Sequence, residues 1–251
     1  MAKALAALLP CPCVLCGAHG REALCPPCRA QFLGAAEPRC PVCADPLPAG
    51  CAVQPAALLC GACLARRPAF DATVVAAPYA LPWDRLVLEL KFGGQLAHAR
   101  LFAGLLAEAV RAVHAALPAT APAAMPAFAV PALLCPVPLG PGRLAERGFN
   151  QALEIARPLG RLLGIAVVPR LAARVQETSA QSKLHGSGRR ANVAHAFAVP
   201  DRALVEGRHI GIVDDVMSSG QTLGELAAVF KRHGAARVTN FVFARTPPRK
   251  S

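Results

Sequence analysis

Two adjacent carboxylates at the end of an apolar run are the best candidates for chemistry in this chain. Asp214 and Asp215 follow the apolar residues 210–213, a run suited to a strand that is buried on both faces. A small turn rich in hydroxyl groups comes next, and apolar residues at helical spacing begin at Leu223. The turn therefore lies between a strand end and a helix start, where backbone N–H groups and the helix dipole favour an anion.

The residue types around this turn indicate a ligand that carries both a phosphate and a diol. Gly220 would let the backbone approach an anion closely, and the neighbouring serine and threonine hydroxyls would add donors. Carboxylates would repel a phosphate, so Asp214 and Asp215 should accept hydrogen bonds from sugar hydroxyls, and a metal ion near them would also fit. A ribose 5-phosphate has both groups. The alternative interpretation is an ordinary strand–turn–helix with a capping serine.

The stretch resembles the motif with which type I phosphoribosyltransferases bind phosphoribosyl pyrophosphate (PRPP). The resemblance implies that Asp214 and Asp215 bind the ribose hydroxyls, and that the turn from Met217 to Thr222 wraps the 5-phosphate. The PRPP site that follows the two acids would comprise Val216, Met217, Ser218, Ser219, Gly220, Gln221 and Thr222.

Length and charge limit the classes of function. The 251 residues predict one large domain or two smaller ones, and a hydrophobic content of 54% is ample for a core. The formal net charge of +12 predicts affinity for polyanions, whether nucleic acid, nucleotides or phosphorylated sugars, without choosing among them. The apolar run at residues 4–9 is short for a signal peptide and lacks a cleavage site, and no apolar stretch is long enough for a membrane span. We expect a cytoplasmic protein without membrane insertion.

Eight of the eleven cysteines form four Cys-x-x-Cys pairs within the first seventy residues. Two such pairs complete a tetrahedral four-sulfur zinc site, so the spacing predicts two structural zinc ribbons. Sequential grouping is the simplest arrangement, and an interleaved grouping is also compatible with the spacing. Because sulfur would fill every ligand position, the ribbons are predicted to be a structural staple, with docking of nucleic acid or a partner as the alternative. The predicted zinc ligands are Cys13, Cys16, Cys25, Cys28, Cys40, Cys43, Cys60 and Cys63.

Basic residues elsewhere could bind a second phosphate group. Arg143 and Arg147 lie in a glycine-rich turn between a predicted strand at 133–138 and a helix that ends near Leu163. Arginine is poorly placed against the dipole of a helix start, which favours an anion nearby. Lys91, before Phe92-Gly93-Gly94, is either a charge at a helix end or a phosphate ligand.

A polar segment at 170–192 is predicted to be a mobile lid or disordered, since long loops inside compact domains are unusual. The other predicted elements are a strand at 73–79, helices at 82–90 and 95–116, strand character at 196–199, a helix from the PRPP turn to about His233 and a strand at 237–243.

Residues 11–247 together resemble the ComF family. The resemblance depends on Lys91-Phe92-Gly93, on 136–139 with 147–151, on Gln181, Leu184, Arg189, Asn192 and Ala196-Phe197, and on 214–222. It implies a double zinc ribbon at 1–70 and an α/β domain of the type I phosphoribosyltransferase type at 71–251, with a mostly parallel sheet flanked by helices. The lid residues would be Gln181, Lys183, Arg189 and Asn192.

The family resemblance also implies an activity and its partners. PRPP would bind with Mg²⁺, and the ribosyl 5-phosphate would be transferred to an unknown acceptor. Asp214, Asp215 and Arg147 would be catalytic, with Lys91 and Arg143 as further PRPP ligands. Single-stranded DNA or a DNA-uptake helicase are the partners implied by a link to natural competence. The alternative is a non-catalytic nucleic-acid-binding adaptor with a regulatory PRPP pocket.

Overall fold

The computed structural model describes residues 11–34, 37–48, 59–115, 130–175 and 196–247. The cysteine-rich part of the chain forms short elements held by tight turns. They are β1 (Cys11–Pro12), which pairs antiparallel with β2 (His19–Gly20), then α1 (Pro26–Phe32) and α2 (Gly61–Ala65). Both short helices begin directly after a cysteine, Cys25 and Cys60 respectively, so each start carries the first cysteine of a pair.

A five-stranded parallel sheet forms the centre of the remaining chain, as predicted. Its strands in chain order are β3 (Ala72–Pro78), β4 (Leu133–Pro136), β5 (Ala166–Val167), β8 (His209–Met217) and β9 (Arg237–Arg245). Their spatial order is β3-β9-β8-β4-β5, so β8 lies in the middle with partners on both sides. Two further strands, β6 (Ala173–Arg174) and β7 (Phe197–Ala198), form a separate antiparallel pair on either side of the segment 176–195.

Helices cover both faces of the sheet. They are α3 (Trp83–Phe92), α4 (Ala97–Ala115), α5 (Pro141–Arg147), α6 (Gln151–Leu163) and α7 (Gln221–Arg232), with a 3-10 turn at Arg202–Leu204. On one face α4 packs on β3 and β9 and α6 packs on β8 and β4, and Phe102 of α4 stacks on Phe243 with 3.6 Å between ring centroids. On the other face α7 packs through Leu226 and Phe230. Each fully buried side chain of this size contributes about 1.5–3 kcal/mol of transfer free energy.

Each of the two ribbons packs into one of the hydrophobic clusters on the faces of the sheet. Cys13, Leu24 and Cys28 pack in the cluster that contains α4 and α6, whereas Cys40 and Cys43 pack in the cluster that contains α7. Trp83 Nε1 also donates to the carbonyl of Phe32 at 3.3 Å, and Thr73 N donates to the carbonyl of Pro41 at 3.2 Å. The ribbons are therefore bonded to α3 and to the edge strand β3.

Two predicted boundaries were wrong in a way that affects the site. The predicted strand ended at Val213, but β8 continues through both aspartates to Met217 because it pairs with β9 as far as Arg245. The predicted glycine-rich turn at 139–151 contains the helix α5, which begins at Pro141. Proline is well suited to a first helical position because its missing N–H would have no intrahelical partner there.

Candidate functional site

The two groups of cysteines are each gathered around one point. The thiol sulfurs of Cys13, Cys16, Cys25 and Cys28 lie within 4.8 Å of one another, and so do those of Cys40, Cys43, Cys60 and Cys63. A tetrahedral ion with Zn–S bonds of about 2.3 Å requires sulfurs roughly 3.8 Å apart. The Sγ atoms of Cys43 and Cys60 are 3.4 Å apart, and those of Cys16 and Cys25 are 3.6 Å apart. Both four-sulfur sets fit a structural zinc ion, and the structure groups them sequentially.

Backbone N–H groups favour the thiolate form of the first cysteine of each set. Burial opposes ionisation of Cys13, but backbone N–H groups of Cys25 and Cys16 donate to its sulfur and lower the pKa of its thiol to about 6. At Cys40, backbone N–H groups likewise outweigh burial and lower the pKa of the thiol. Zinc binds the thiolate, so these N–H groups favour the ligand form. Cys11 lies in β1 outside both sets, and Cys51 lies outside the described residues.

The two aspartates of β8 have different surroundings. Asp215 is buried, and its Oδ2 lies 2.8 Å from Lys91 Nζ. Asp214 is half-buried, and its Oδ1 accepts from the backbone N–H of Asp215 at 2.9 Å. Burial, followed by the negative charge of Asp215, raises the pKa of Asp214 well above its ordinary value of 3.8. Asp214 is therefore a carboxyl group whose charge lacks full compensation, which fits a ligand that brings hydroxyl donors or a cation.

Lys91 contacts the motif directly. It lies in the last turn of α3, where the helix dipole favours a cation, and its amino group reaches the carboxylate of Asp215. Neither sequence interpretation of Lys91 included this ion pair. A second contact holds the same helix in place, because Glu89 accepts from His98 Nε2 of α4 at 2.9 Å.

The turn after β8 is shorter than predicted. Met217 belongs to the strand and is buried, so the exposed part of the turn consists of Ser218 and Ser219. Gly220 precedes α7 with φ of 74°, a conformation that favours glycine, and a Cβ there would meet Met217 Cε at 2.5 Å. The N–H groups of the first turn of α7 have no partner within the helix, and that of Gln221 donates to Ser219 Oγ at 3.3 Å. This arrangement can bind a phosphate.

Arg147 lies at the end of a helix rather than at the start of one, which corrects the sequence interpretation. It occupies the last turn of α5, where the dipole favours it, and Gly148 ends that helix with φ of 77°. Arg147 Nη1 donates to Gln151 Oε1 at 2.6 Å, and the guanidinium lies 5.2 Å from the ring centre of Phe92. Arg143 is exposed on the same short helix.

The residues between Arg147 and α6 hold the two helices against the sheet. Asn150 is the N-cap of α6, and its Oδ1 accepts from the N–H groups of Ala152 and Leu153. Its Nδ2 donates to the carbonyl of Val137, just beyond β4, at 3.0 Å. One side chain thus fixes the start of α6 to the end of a sheet strand, and Arg147 is placed beside that point.

The ends of α3 and α5 therefore meet the end of β8. Adjacent residues of α3 contact both other elements, since Lys91 pairs with Asp215 and Phe92 lies beneath Arg147. The carboxyl ends of parallel strands are where such sheets bind ligands. The predicted lid residues Gln181, Lys183, Arg189 and Asn192 lie outside the described residues.

Sequence reasoning missed Arg245, the last residue of β9. It is 6% exposed, and its guanidinium donates to main-chain carbonyls of the turn after β8. The predicted strand ended two residues earlier, at Phe243. The available signal was an arginine that directly follows the apolar run 241–244, a position that is costly unless the charge is paired.

Comparison with known proteins gives two domain matches. Residues 4–64 match the double zinc ribbon domain, and residues 144–250 match the phosphoribosyl transferase domain. Among the described residues, no helix is both long and apolar enough to span a bilayer.

Curated relatives match over most of their length. The DNA utilization protein YhgH of Salmonella typhi is 35% identical over 207 residues, which are 82% of this chain and 84% of the relative. Competence protein F of Haemophilus influenzae is 30% identical over 237 residues, 93% of this chain and 96% of the relative. Among solved structures, glutamine PRPP amidotransferase from B. subtilis is 15% identical, with 57% of this chain and 25% of that chain covered at a TM-score of 0.34.

Proposed function

The chain belongs to the ComF family, with YhgH and competence protein F as relatives, and on this premise we propose that it binds PRPP with Mg²⁺ and transfers the ribosyl 5-phosphate to an acceptor. One observation carries the proposal. Lys91, Asp215 and Arg147 lie near one another at the carboxyl end of the sheet, beside a turn and helix start that can bind a phosphate.

The two ends of PRPP would lie on opposite sides of the aspartates. The 5-phosphate binds the N–H groups and hydroxyls from Ser218 to Thr222, at the positive end of α7. Asp214, the more exposed acid, accepts from the ribose hydroxyls. Asp215 adds its Oδ1, while its Oδ2 holds Lys91. Val216 and Met217 contribute main chain at the end of β8.

The pyrophosphate would lie toward the basic residues. Arg147 and Lys91 neutralise the charge that grows on the leaving oxygen as its bond to the anomeric carbon breaks, and Arg143 can approach from the exposed side of α5. The electron pair of that bond leaves with pyrophosphate, so positive charge develops on the ribose ring. Asp214 would lie on the ribose side, where its negative charge would stabilise the positive charge on the ring. Catalysis would consist of positioning and charge stabilisation, without a covalent nucleophile.

Magnesium fits this site as a companion of the ligand. It prefers phosphate oxygens and few protein ligands, and the undercompensated carboxyl of Asp214 suits a ligand that arrives with a cation. When bound, the ion supplies charge neutralisation at the pyrophosphate. The lid residues Gln181, Lys183, Arg189 and Asn192 enter the proposal through the family resemblance, as groups that would exclude water.

Titration calorimetry with PRPP and magnesium tests the proposal. We expect the unchanged protein to bind, and Asp214→Asn to lower the affinity at least about tenfold, because a hydrogen bond to a charged group is lost. Asp201→Asn is the matched control, since Asp201 is an exposed residue before the 3-10 turn. Equal affinity of Asp214→Asn and the unchanged protein would refute the site.

A nucleic-acid-binding adaptor with a regulatory PRPP pocket is the second candidate. The net charge of +12 favours it, as do relatives whose names refer to DNA utilization and competence. Its partners would be single-stranded DNA or a DNA-uptake helicase. DNA affinity that falls steeply with salt, together with PRPP binding but no turnover, would favour this candidate.

A further inference from the structure

Arg245 is the buried charge that joins the second cysteine cluster to the turn after β8. It lies at the end of β9 beside Met217, its partner in the parallel register, and is 6% exposed. Its Nη2 forms an ion pair with Asp45 Oδ1 at 2.5 Å, and its Nε donates to the carbonyl of Cys43 at 3.1 Å. Its Nη1 donates to the carbonyls of Met217, at 3.1 Å, and Ser218.

On the cluster side of this contact, backbone hydrogen bonds hold Asp45 next to two of the cysteines. The backbone N–H of Cys40 donates to the carbonyl of Asp45 at 2.8 Å, and the N–H of Ala44 donates to the carbonyl of Cys40 at 2.8 Å. Asp45 therefore belongs to the same tight knuckle as two of the four sulfurs. The buried ion pair with Asp45 compensates the charge of Arg245, which would otherwise be expensive to bury.

The other side of the contact orients peptide groups of the turn. In a planar trans peptide the N–H points opposite to the C=O. Because the carbonyls of Met217 and Ser218 both point to Arg245, the N–H groups of Ser218 and Ser219 must point away from it. Those are the first two N–H groups of the proposed phosphate turn. A second donor, Thr246 N, also binds the carbonyl of Met217 at 3.1 Å and supports the same orientation.

We propose that Arg245 is a positioning residue, which sets the phosphate-binding N–H groups of the turn and anchors them to the knuckle of the second cysteine cluster. The inference rests on the proposed PRPP site and adds to it a dependence on one particular ribbon. Among the described residues, the ion pair of the first cluster, from Arg29 to Glu108 at 2.6 Å, reaches α4 rather than the turn.

Calorimetry with two partial ligands tests this role. Ribose 5-phosphate probes the turn, and inorganic pyrophosphate with magnesium probes the basic side of the site. We expect Arg245→Lys to weaken ribose 5-phosphate binding by about tenfold or more, because a lysine cannot reach both carbonyls and both knuckle acceptors at once. Pyrophosphate affinity and a zinc content equal to that of the unchanged protein should be retained.

Two more variants complete the experiment. Asp45→Asn removes the charge that holds the far end of the guanidinium and should weaken ribose 5-phosphate binding in the same direction, which keeps the test available if Arg245→Lys does not fold. Arg29→Gln is the matched control on the first ribbon and should leave both affinities unchanged. The inference about Arg245 is overturned, and the proposed function is left standing, if the unchanged protein binds ribose 5-phosphate and both Arg245→Lys and Asp45→Asn bind it equally well. If the unchanged protein binds neither ligand, the proposed function fails.

Discussion

At the scale of single residues, the two neighbouring aspartates are chemically unequal. Asp215 has a lysine partner and a side chain that is 3% exposed, whereas Asp214 is exposed to more solvent but has a raised pKa. A sequence motif presents them as a pair of equal acids. In the structure Asp215 is paired with a lysine, whereas the charge of Asp214 lacks a full partner and would be stabilised by a ligand that brings a cation or hydroxyl donors.

This difference predicts opposite effects on stability. Asp215→Asn should lower the free energy of unfolding by about 3 kcal/mol, because it leaves a largely buried lysine without its counter-charge. Asp214→Asn should raise it at neutral pH, since it removes a carboxylate that ionises more easily in the unfolded chain. Chemical denaturation of both variants at fixed pH measures the two effects.

The pH dependence provides the control for Asp214. The pKa of Asp214 in the folded state lies above the ordinary value of 3.8, so the folded state binds more protons than the unfolded state. The unchanged protein therefore loses stability as pH rises from the ordinary value to the folded pKa. The advantage of Asp214→Asn should therefore be absent below about pH 4 and grow as pH rises toward the folded pKa. An advantage that does not vary with pH would contradict the assignment.

At the scale of elements, the segment Arg147 to Gln151 connects α5 to α6 and fixes where each helix ends or begins. Gly148 ends α5, Asn150 begins α6 and also binds the end of β4, and Gln151 holds Arg147. Arg147, the basic residue of the proposed pyrophosphate site, is thus positioned by the end of α5 and by the capped start of α6.

Asn150→Ala should therefore affect both stability and ligand binding. We expect a loss of about 1–2 kcal/mol in the free energy of unfolding, the usual effect of removing an N-cap, and a weaker affinity for pyrophosphate, because the helix start that carries Gln151, the partner of Arg147, is less firmly held. Urea denaturation and calorimetry measure the two. Asp201→Ala also removes a cap, from Ala203 N at 2.9 Å, but lies in an exposed 3-10 turn. Asp201→Ala should lower the free energy of unfolding without changing the affinity for pyrophosphate. An equal change of this affinity in Asp201→Ala and Asn150→Ala would contradict the role of Asn150 in positioning Arg147.

At the scale of the whole molecule, the ribbons are part of the main cores. Buried cysteines of each set pack into the apolar cluster on one face of the sheet, so metal removal should affect both faces. Trp83, the only tryptophan, is 1% exposed and donates to a carbonyl of the first ribbon.

Chelation of zinc should therefore lower the melting temperature of the entire protein and shift the tryptophan emission to longer wavelength, because Trp83 loses its covering ribbon. Thermal denaturation followed by fluorescence and by circular dichroism measures both. Arg29→Gln, which breaks only a partly exposed ion pair, should change stability by no more than about 1 kcal/mol. An unchanged melting temperature of the sheet after metal loss would mean that the ribbons are independent.

The sequence predicted most of the elements, because apolar periodicity and cysteine spacing are local properties. The helix at 151–163 ends at Leu163 as expected, and the four cysteine pairs form the two expected sets. The family is also confirmed, through the two domain matches and the relatives. The individual roles of the site residues remain proposals.

Other features depended on contacts between residues far apart in the chain. The length of β8 is set by its pairing with β9, and the ion pair of Lys91 with Asp215 joins residues more than a hundred positions apart. Arg245 is the clearest case, since it binds Asp45 and the turn after β8 together. Local patterns determine which segments become strands, helices and metal knuckles. Only the packed structure decides which buried charge is paired with which, because that choice depends on the distance and desolvation of groups that the sequence separates.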